Sequence, residues 1–177
     1  MTFARVRALI VVGILFVGAT VAVVFALTRD TQTKTVVVNL CPPGAVPANR
    51  KLPERRDVKL NVYNGTKQPG LASKIGTELK NRDFQVKKTR NAPRNQIYKG
   101  VATIKFGPKT VGAAQEMNAY FLGVANMSFD IERTDDVVDI FLGADFQQLA
   151  TTTEVNQSIA ALGEPVLPPG TCDIEQP

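Results

Sequence analysis

Six carboxylates crowd one short stretch of this sequence: Asp130, Glu132, Asp135, Asp136, Asp139 and Asp145. Paired carboxylates can pass protons as general acid and base, or hold hard cations. The local pattern argues for something plainer. Asp130 and Glu132 flank Ile131 with the two-residue period of a solvent-facing strand, and Asp135-Asp136 stand where a turn is expected. No EF-hand loop, Walker A loop or GxSxG elbow occurs. The chain also has no histidine, which removes the commonest transition-metal ligand and the usual activating base for a nucleophile. The sequence therefore assigns no catalytic residue, no metal site and no cofactor, and it points away from an enzyme.

Anion binding has more behind it. The stretch VYNGTKQPGLA, residues 62 to 72, joins an apolar alternation to a helical pattern through two glycines. Gly65 would permit a positive φ, Gly70 would let the helix begin close to the strand, and the free N–H groups of that helix end would favour an anion beside Thr66 and Lys67. The spacing is not GxGxxG, and a purely structural turn explains the same residues. Charge adds a broader signal. Residues 50–109 hold 16 Lys and Arg against 4 Asp and Glu, whereas residues 110–177 hold 1 against 11. If the basic half forms one face, Lys67, Lys74, Lys87, Lys88, Arg90, Arg94, Lys99 and Lys109 would attract anionic polymers. The alternative is that the halves interleave and neutralise one another through surface ion pairs, each worth about 0–1 kcal/mol.

These residues need elements to hold them, and the chain divides readily. Ala8 to Leu27 is a run of 20 uncharged residues, long enough as a helix to span the roughly 30 Å hydrocarbon core and longer than the usual core of a signal peptide. This predicts a cytoplasmic N-terminus over 1–7 and a single transmembrane helix over 8–28. Arg5 and Arg7 on one side against Arg29 and Lys34 on the other give only a weak positive-inside signal. The two cysteines, Cys41 and Cys172, fit one disulfide fastening the ends of the following region in an oxidising compartment. Thiol catalysis fits poorly without histidine.

Residues 29–56 read as an extracytoplasmic linker with a short strand-like piece, Thr35 to Leu40, and a segment holding Pro42, Pro43, Pro47 and Pro53. The folded domain is expected over 57–177. Strands are predicted at 58–63, 84–89, 102–106, 128–132 and 136–142, with helices from Leu71 to Asn81, from Pro108 to about Gly123, and from a Thr151/Glu154 capping box to Leu162. The fold class is α/β (α+β), a small mixed β-sheet with helices packed on it. Strand, Gly-containing turn, helix and strand recur at 58–89 and 102–132. With all four strands parallel, both helix N-termini would open at one sheet edge; in a split, ferredoxin-like arrangement they would open at opposite edges.

Val62-Tyr63-Asn64-Gly65-Thr66, Pro69-Gly70-Leu71-Ala72, Phe84, Phe106-Gly107-Pro108 and Leu142-Gly143-Ala144-Asp145-Phe146 together resemble the LytR C-terminal domain family, over about residues 57–150. The layout of one anchor, a nearby cysteine, this domain and a late cysteine resembles stand-alone actinobacterial envelope-integrity proteins. The resemblance implies a single-pass cell-membrane protein whose C-terminal domain is extracytoplasmic and supports the envelope. It implies as partner a cell-wall polymer, peptidoglycan or an attached glycopolymer, or a LytR-CpsA-Psr-type wall-assembly protein. The catalytic domain of those enzymes is absent, so their transferase activity does not carry over. An enzyme acting on wall glycan or lipid-linked precursor, and an oligomerisation module, are the competing expectations. The sequence pI of about 9.4 invites nucleic acid, but a position outside the membrane and the lack of aromatic interleaving in the basic half argue against it.

Overall fold

Each predicted switch from a period of two to a period near 3.6 marks a real change of element in the computed structural model, which describes residues 13, 16, 18–21 and 41–173. After β1 (Val46–Ala48), a first unit comprises β2 (Lys59–Asn64), α1 (Leu71–Asn81) and β3 (Gln85–Asn91). A second comprises β4 (Ala102–Phe106), α2 (Val111–Ala119) and β5 (Asn126–Phe129), followed by β6 (Val137–Leu142), α3 (Thr152–Leu162) and β7 (Thr171–Asp173). Most of the predicted membrane span and the Thr35–Leu40 segment lie outside the described residues. Among the described residues, no helix is long and apolar enough to cross a membrane.

Local chemistry sets the boundaries. Gly70 caps α1 in the left-handed region at φ 74°, a conformation that only glycine adopts without strain. Pro108 opens the 3-10 turn leading into α2, where a missing N–H costs nothing. At α3, the Thr151 backbone N–H donates to Glu154 Oε2 at 2.7 Å and the Glu154 N–H to Thr151 Oγ1 at 3.4 Å, the reciprocal capping box expected from the spacing.

The main sheet has five strands in the order β3-β2-β6-β4-β5. β2 is parallel to both β3 and β6, β4 is parallel to β5, and β4 and β6 are antiparallel. β2 and β4 thus run in opposite directions, and α1 and α2 begin at opposite ends of the sheet. The sheet is mixed rather than parallel, and β6 inserted between the two units gives an order that is not ferredoxin-like.

Alternation gives the sheet two unlike faces. Leu60, Val62, Val138, Ile140, Ile104 and Phe106 point to one side and form a single core with Ile75 and Leu79 of α1, Ala114 and Met117 of α2 and Val155 of α3. On the other side the register aligns Asn61 with Asp139, Tyr63 with Phe141, and Lys105 with Asp139. This outer face lies outside the core cluster.

A separate parallel pair joins the two ends of the domain, β1 with β7, in register at Pro47 and Cys172. Cys41 and Cys172 form a disulfide, with 5.5 Å between their Cα atoms. The β1 arm lies against the start of α2: Asn49 N–H donates to the Pro108 carbonyl at 2.8 Å, and Gly112 N–H to the Asn49 carbonyl at 3.1 Å. Ala48 is fully buried there. The proline-containing segment read as linker therefore carries a strand packed against the rest of the fold.

Candidate functional site

The turn between β2 and α1 is closed by its own side chains. Asn64 Nδ2 donates to the Gln68 carbonyl at 2.6 Å, while Asn64 Oδ1 accepts from Thr66 N–H at 3.0 Å and Thr66 Oγ1 at 2.8 Å. Thr66 Oγ1 in turn accepts from Gln68 N–H at 3.0 Å. The two glycines divide the work differently from expectation. Gly70 holds the positive φ, whereas Gly65 is required for close approach: a Cβ there would sit 2.6 Å from the Leu142 carbonyl oxygen and 2.7 Å from the Tyr98 ring. Two amides an anion could have used, those of Thr66 and Gln68, are already engaged.

The cations fall into two groups. Those early in the basic half pair with the acidic half: Arg50 with Glu164 and Asp173, Arg55 with Glu116 at 3.8 Å, and Lys59 with Asp136 at 2.5 Å. None of the eight nominated cations forms an ion pair among the described residues. Lys87, Lys88 and Arg90 line the exposed edge strand β3. Lys67, Arg94 and Lys99 sit in loops at the carboxyl end of β2 and β3, tied together where Tyr98 N–H donates to the Gly65 carbonyl at 2.9 Å. Asp145 shares that end, its N–H donating to the Gly100 carbonyl at 3.0 Å. Lys74 is exposed on α1. Lys109 stands apart, at the opposite end of the sheet near Asp136.

A second set of residues, unmarked by sequence reasoning, adjoins this edge on the outer face. Tyr63 stacks on Phe141 with ring centroids 4.6 Å apart, and Tyr98 also stacks on Phe141, at 4.7 Å. Lys105 Nζ lies 5.0 Å from the Phe141 centroid and 6.0 Å from that of Tyr98. Beside the rings, Asn61 Nδ2 donates to Asp139 Oδ1 at 2.7 Å, and Arg133 bridges Asp139 at 3.0 Å and Asp135 at 2.8 Å. Burial, and next the Asp139 carboxylate, push the Tyr63 hydroxyl pKa up. The available signal was that Tyr63 and Phe141 alternate out of phase with the core positions of their strands.

The carboxylates do not converge. Asp130 and Asp145 are exposed at opposite ends of the sheet, and Asp139 is held between Asn61 and Arg133. Asp136 is paired with Lys59, whose hydrogen bond holds its pKa below the ordinary carboxylate range. Among the described residues no group of acids, cysteines or histidines is arranged to hold a metal ion.

One acid outside that cluster behaves differently. Glu116 of α2 is 6% exposed, and its Oε2 has no partner. Burial raises its pKa to about 7 against the opposing effect of Arg55. It floors an open hollow of about 660 Å³ lined by Pro53, Glu54, Arg55, Arg56 and Asp83.

Comparison with known proteins adds a family and two relatives. The family model described as LytR cell envelope-related transcriptional attenuator matches residues 57–146. The chain is 29% identical over 175 residues to the cell envelope integrity protein Cei of Mycobacterium tuberculosis, covering 88% of this chain and 79% of that one. Among solved structures it is similar to the soluble domain of a conserved hypothetical secreted protein from Mycobacterium marinum. There the identity is 26% and the TM-score 0.48, over 69% of this chain and 82% of the other.

Proposed function

This chain belongs to the LytR cell envelope-related transcriptional attenuator family, and from that premise we propose that it is a non-enzymatic, membrane-anchored extracytoplasmic protein that supports the bacterial cell envelope by binding an anionic wall polymer. The family and the similarity to Cei support the envelope role. The uncharged run Ala8 to Leu27 supports a single anchor, and the Cys41–Cys172 disulfide supports an oxidising location for the domain and hence a cytoplasmic N-terminus.

One observation carries the polymer reading: Lys87, Lys88 and Arg90 along the β3 edge, with Lys67, Arg94 and Lys99 at the adjoining sheet end, have no carboxylate partner among the described residues. No Asp or Glu occurs between Asp83 and Glu116. Cations without local partners project their field outward and draw in polyanions. The screening length shrinks from about 10 Å at 0.1 M salt to about 3 Å at 1 M, so such binding is salt-sensitive.

The test is sedimentation of the full-length chain, in detergent micelles, with purified bacterial cell wall. Retention at low salt, lost at high salt and weakened at least about tenfold by Lys87→Glu/Lys88→Glu/Arg90→Glu, is the expected result; tenfold corresponds to about 1.4 kcal/mol. Absence of retention at low salt would refute the polymer reading.

A further inference from the structure

The basic edge and the aromatic stack are parts of one surface, joined by an irregularity in β3. Leu60 pairs with Val86, but the register then skips Lys87, so that Asn61 aligns with Lys88 and Tyr63 with Arg90. Asn61 and Tyr63 face away from the core, as do Asp139 and Phe141 opposite them. The bulge therefore turns Lys88 and Arg90 onto the outer face, next to Tyr63. Across that face the order is Arg90, Tyr63, Phe141, with Tyr98 also stacked on Phe141 and Lys105 over the Phe141 and Tyr98 rings.

We propose that this outer face binds an acidic polysaccharide, with Tyr63 and Tyr98 contacting sugar rings and Lys88, Arg90 and Lys105 contacting the acidic groups. The inference rests on the polymer reading above and narrows it to a glycan. A ligand recognised by charge alone would need only the cations. Here they flank half-exposed tyrosines, residues with an apolar ring and a polar hydroxyl, and a polar floor fixed by the Asn61–Asp139–Arg133 chain of hydrogen bonds and ion pairs. Asn61 Oδ1 has no partner among the described residues. Rings, hydroxyls and cations side by side match a polymer with C–H faces, hydroxyls and carboxylate or phosphate groups. Nucleic acid would also use ring stacking and cations, and the oligonucleotide arm of the test separates it from a glycan.

Tyrosine emission provides the readout. The chain has no tryptophan and three tyrosines, of which Tyr120 is 2% exposed, so ligand-induced changes report mainly on Tyr63 and Tyr98. The full-length chain in micelles is titrated with polygalacturonate, with inorganic polyphosphate of matched charge, and with a thymidine oligonucleotide. The expected result is that polygalacturonate binds at least about tenfold more tightly than either competitor and alters the emission. Tyr98→Leu and Lys105→Met should each abolish the preference while leaving the melting temperature near that of the parent. Tyr63→Leu should do the same, and Tyr98→Leu, in a loop, keeps the test valid if the Tyr63 variant does not fold. Equal affinity for all three ligands, tighter binding of the oligonucleotide, or a preference that survives Tyr98→Leu and Lys105→Met would overturn the proposal. Retention on cell wall without any such preference would overturn this inference and leave the polymer reading standing.

Discussion

The two strand–helix–strand units look alike in sequence and occupy opposite environments. In the first, α1 buries Leu71, Ala72, Ile75, Gly76 and Leu79 and leaves Ser73, Lys74, Thr77 and Lys80 exposed. In the second, every residue of α2 except Gln115 is buried. The cause lies outside the repeat. The arm around Asn49 to Lys51, the Arg55–Asp57 turn and α3 close over α2, and the disulfide joins that arm to β7. A repeated pattern thus fixes an element's type but not what covers it. The second unit is tied to the two ends of the domain, which frees the first to carry unpaired charge at the surface.

The largest effect that would sharpen this contrast comes from the disulfide. In the chain-entropy model, a loop with ends 131 residues apart contributes about 5 kcal/mol. Cys41→Ser/Cys172→Ser should lower unfolding stability by up to that amount in chemical denaturation. Hydrogen exchange should rise first in β1 and α2 and last in β2. Uniform exchange across both units would break the comparison. Next is Gly112, where a Cβ would run into the Lys51 carbonyl oxygen. Gly112→Val should cost about 3 kcal/mol by overpacking, whereas Lys74→Val on exposed α1 should stay within about 0.5 kcal/mol; thermal melts of the pair decide it.

Glu116 gives a smaller, pH-dependent effect. Its pKa is about 7 in the folded chain and 4.5 as the reference, so between those values the folded state holds a proton that the unfolded state has released. Stability conferred by the protonated form is complete below pH about 4.5 and falls as pH rises toward 7, by an amount on the order of 1 to 3 kcal/mol. Glu116→Gln should flatten that decline and raise stability at neutral pH. A decline that persists unchanged in the variant would assign it to other groups.

What sequence reading recovered was local. The end of α1 at Asn81, all of β4 and the Thr151/Glu154 box depend on periodicity and capping within a few residues. The sequence predicts a strand over 128–132, whereas β5 spans Asn126–Phe129, because pairing with β4 outweighs the alternation around Ile131. Strand order was not legible, because the insertion of β6 between β2 and β4 is a contact over long sequence separation. For the same reason the stack of Tyr63, Tyr98 and Phe141 stayed hidden: three rings from a strand, a loop and another strand meet only in the fold. Glu116 carries no sequence signal, because a lone acid in a helical stretch normally faces water and only the arm packed over α2 buries it.

The smallest expected effect bears most directly on what the first unit is for. Lys87, Lys88 and Arg90 are exposed on an edge strand and make no ion pair among the described residues. Charges on an edge can also serve to discourage strand pairing between molecules, and charges of either sign would serve that purpose. Reversing all three therefore separates the roles. Stability should change by no more than about 0.5 kcal/mol, with any shift upward at low salt as repulsion from Lys67, Arg94 and Lys99 turns to attraction. The variant should stay monodisperse while losing wall retention. A stability loss above about 1 kcal/mol would mean that these cations hold the fold together, and the contrast between a tied second unit and a free first one would fail at its most exposed point.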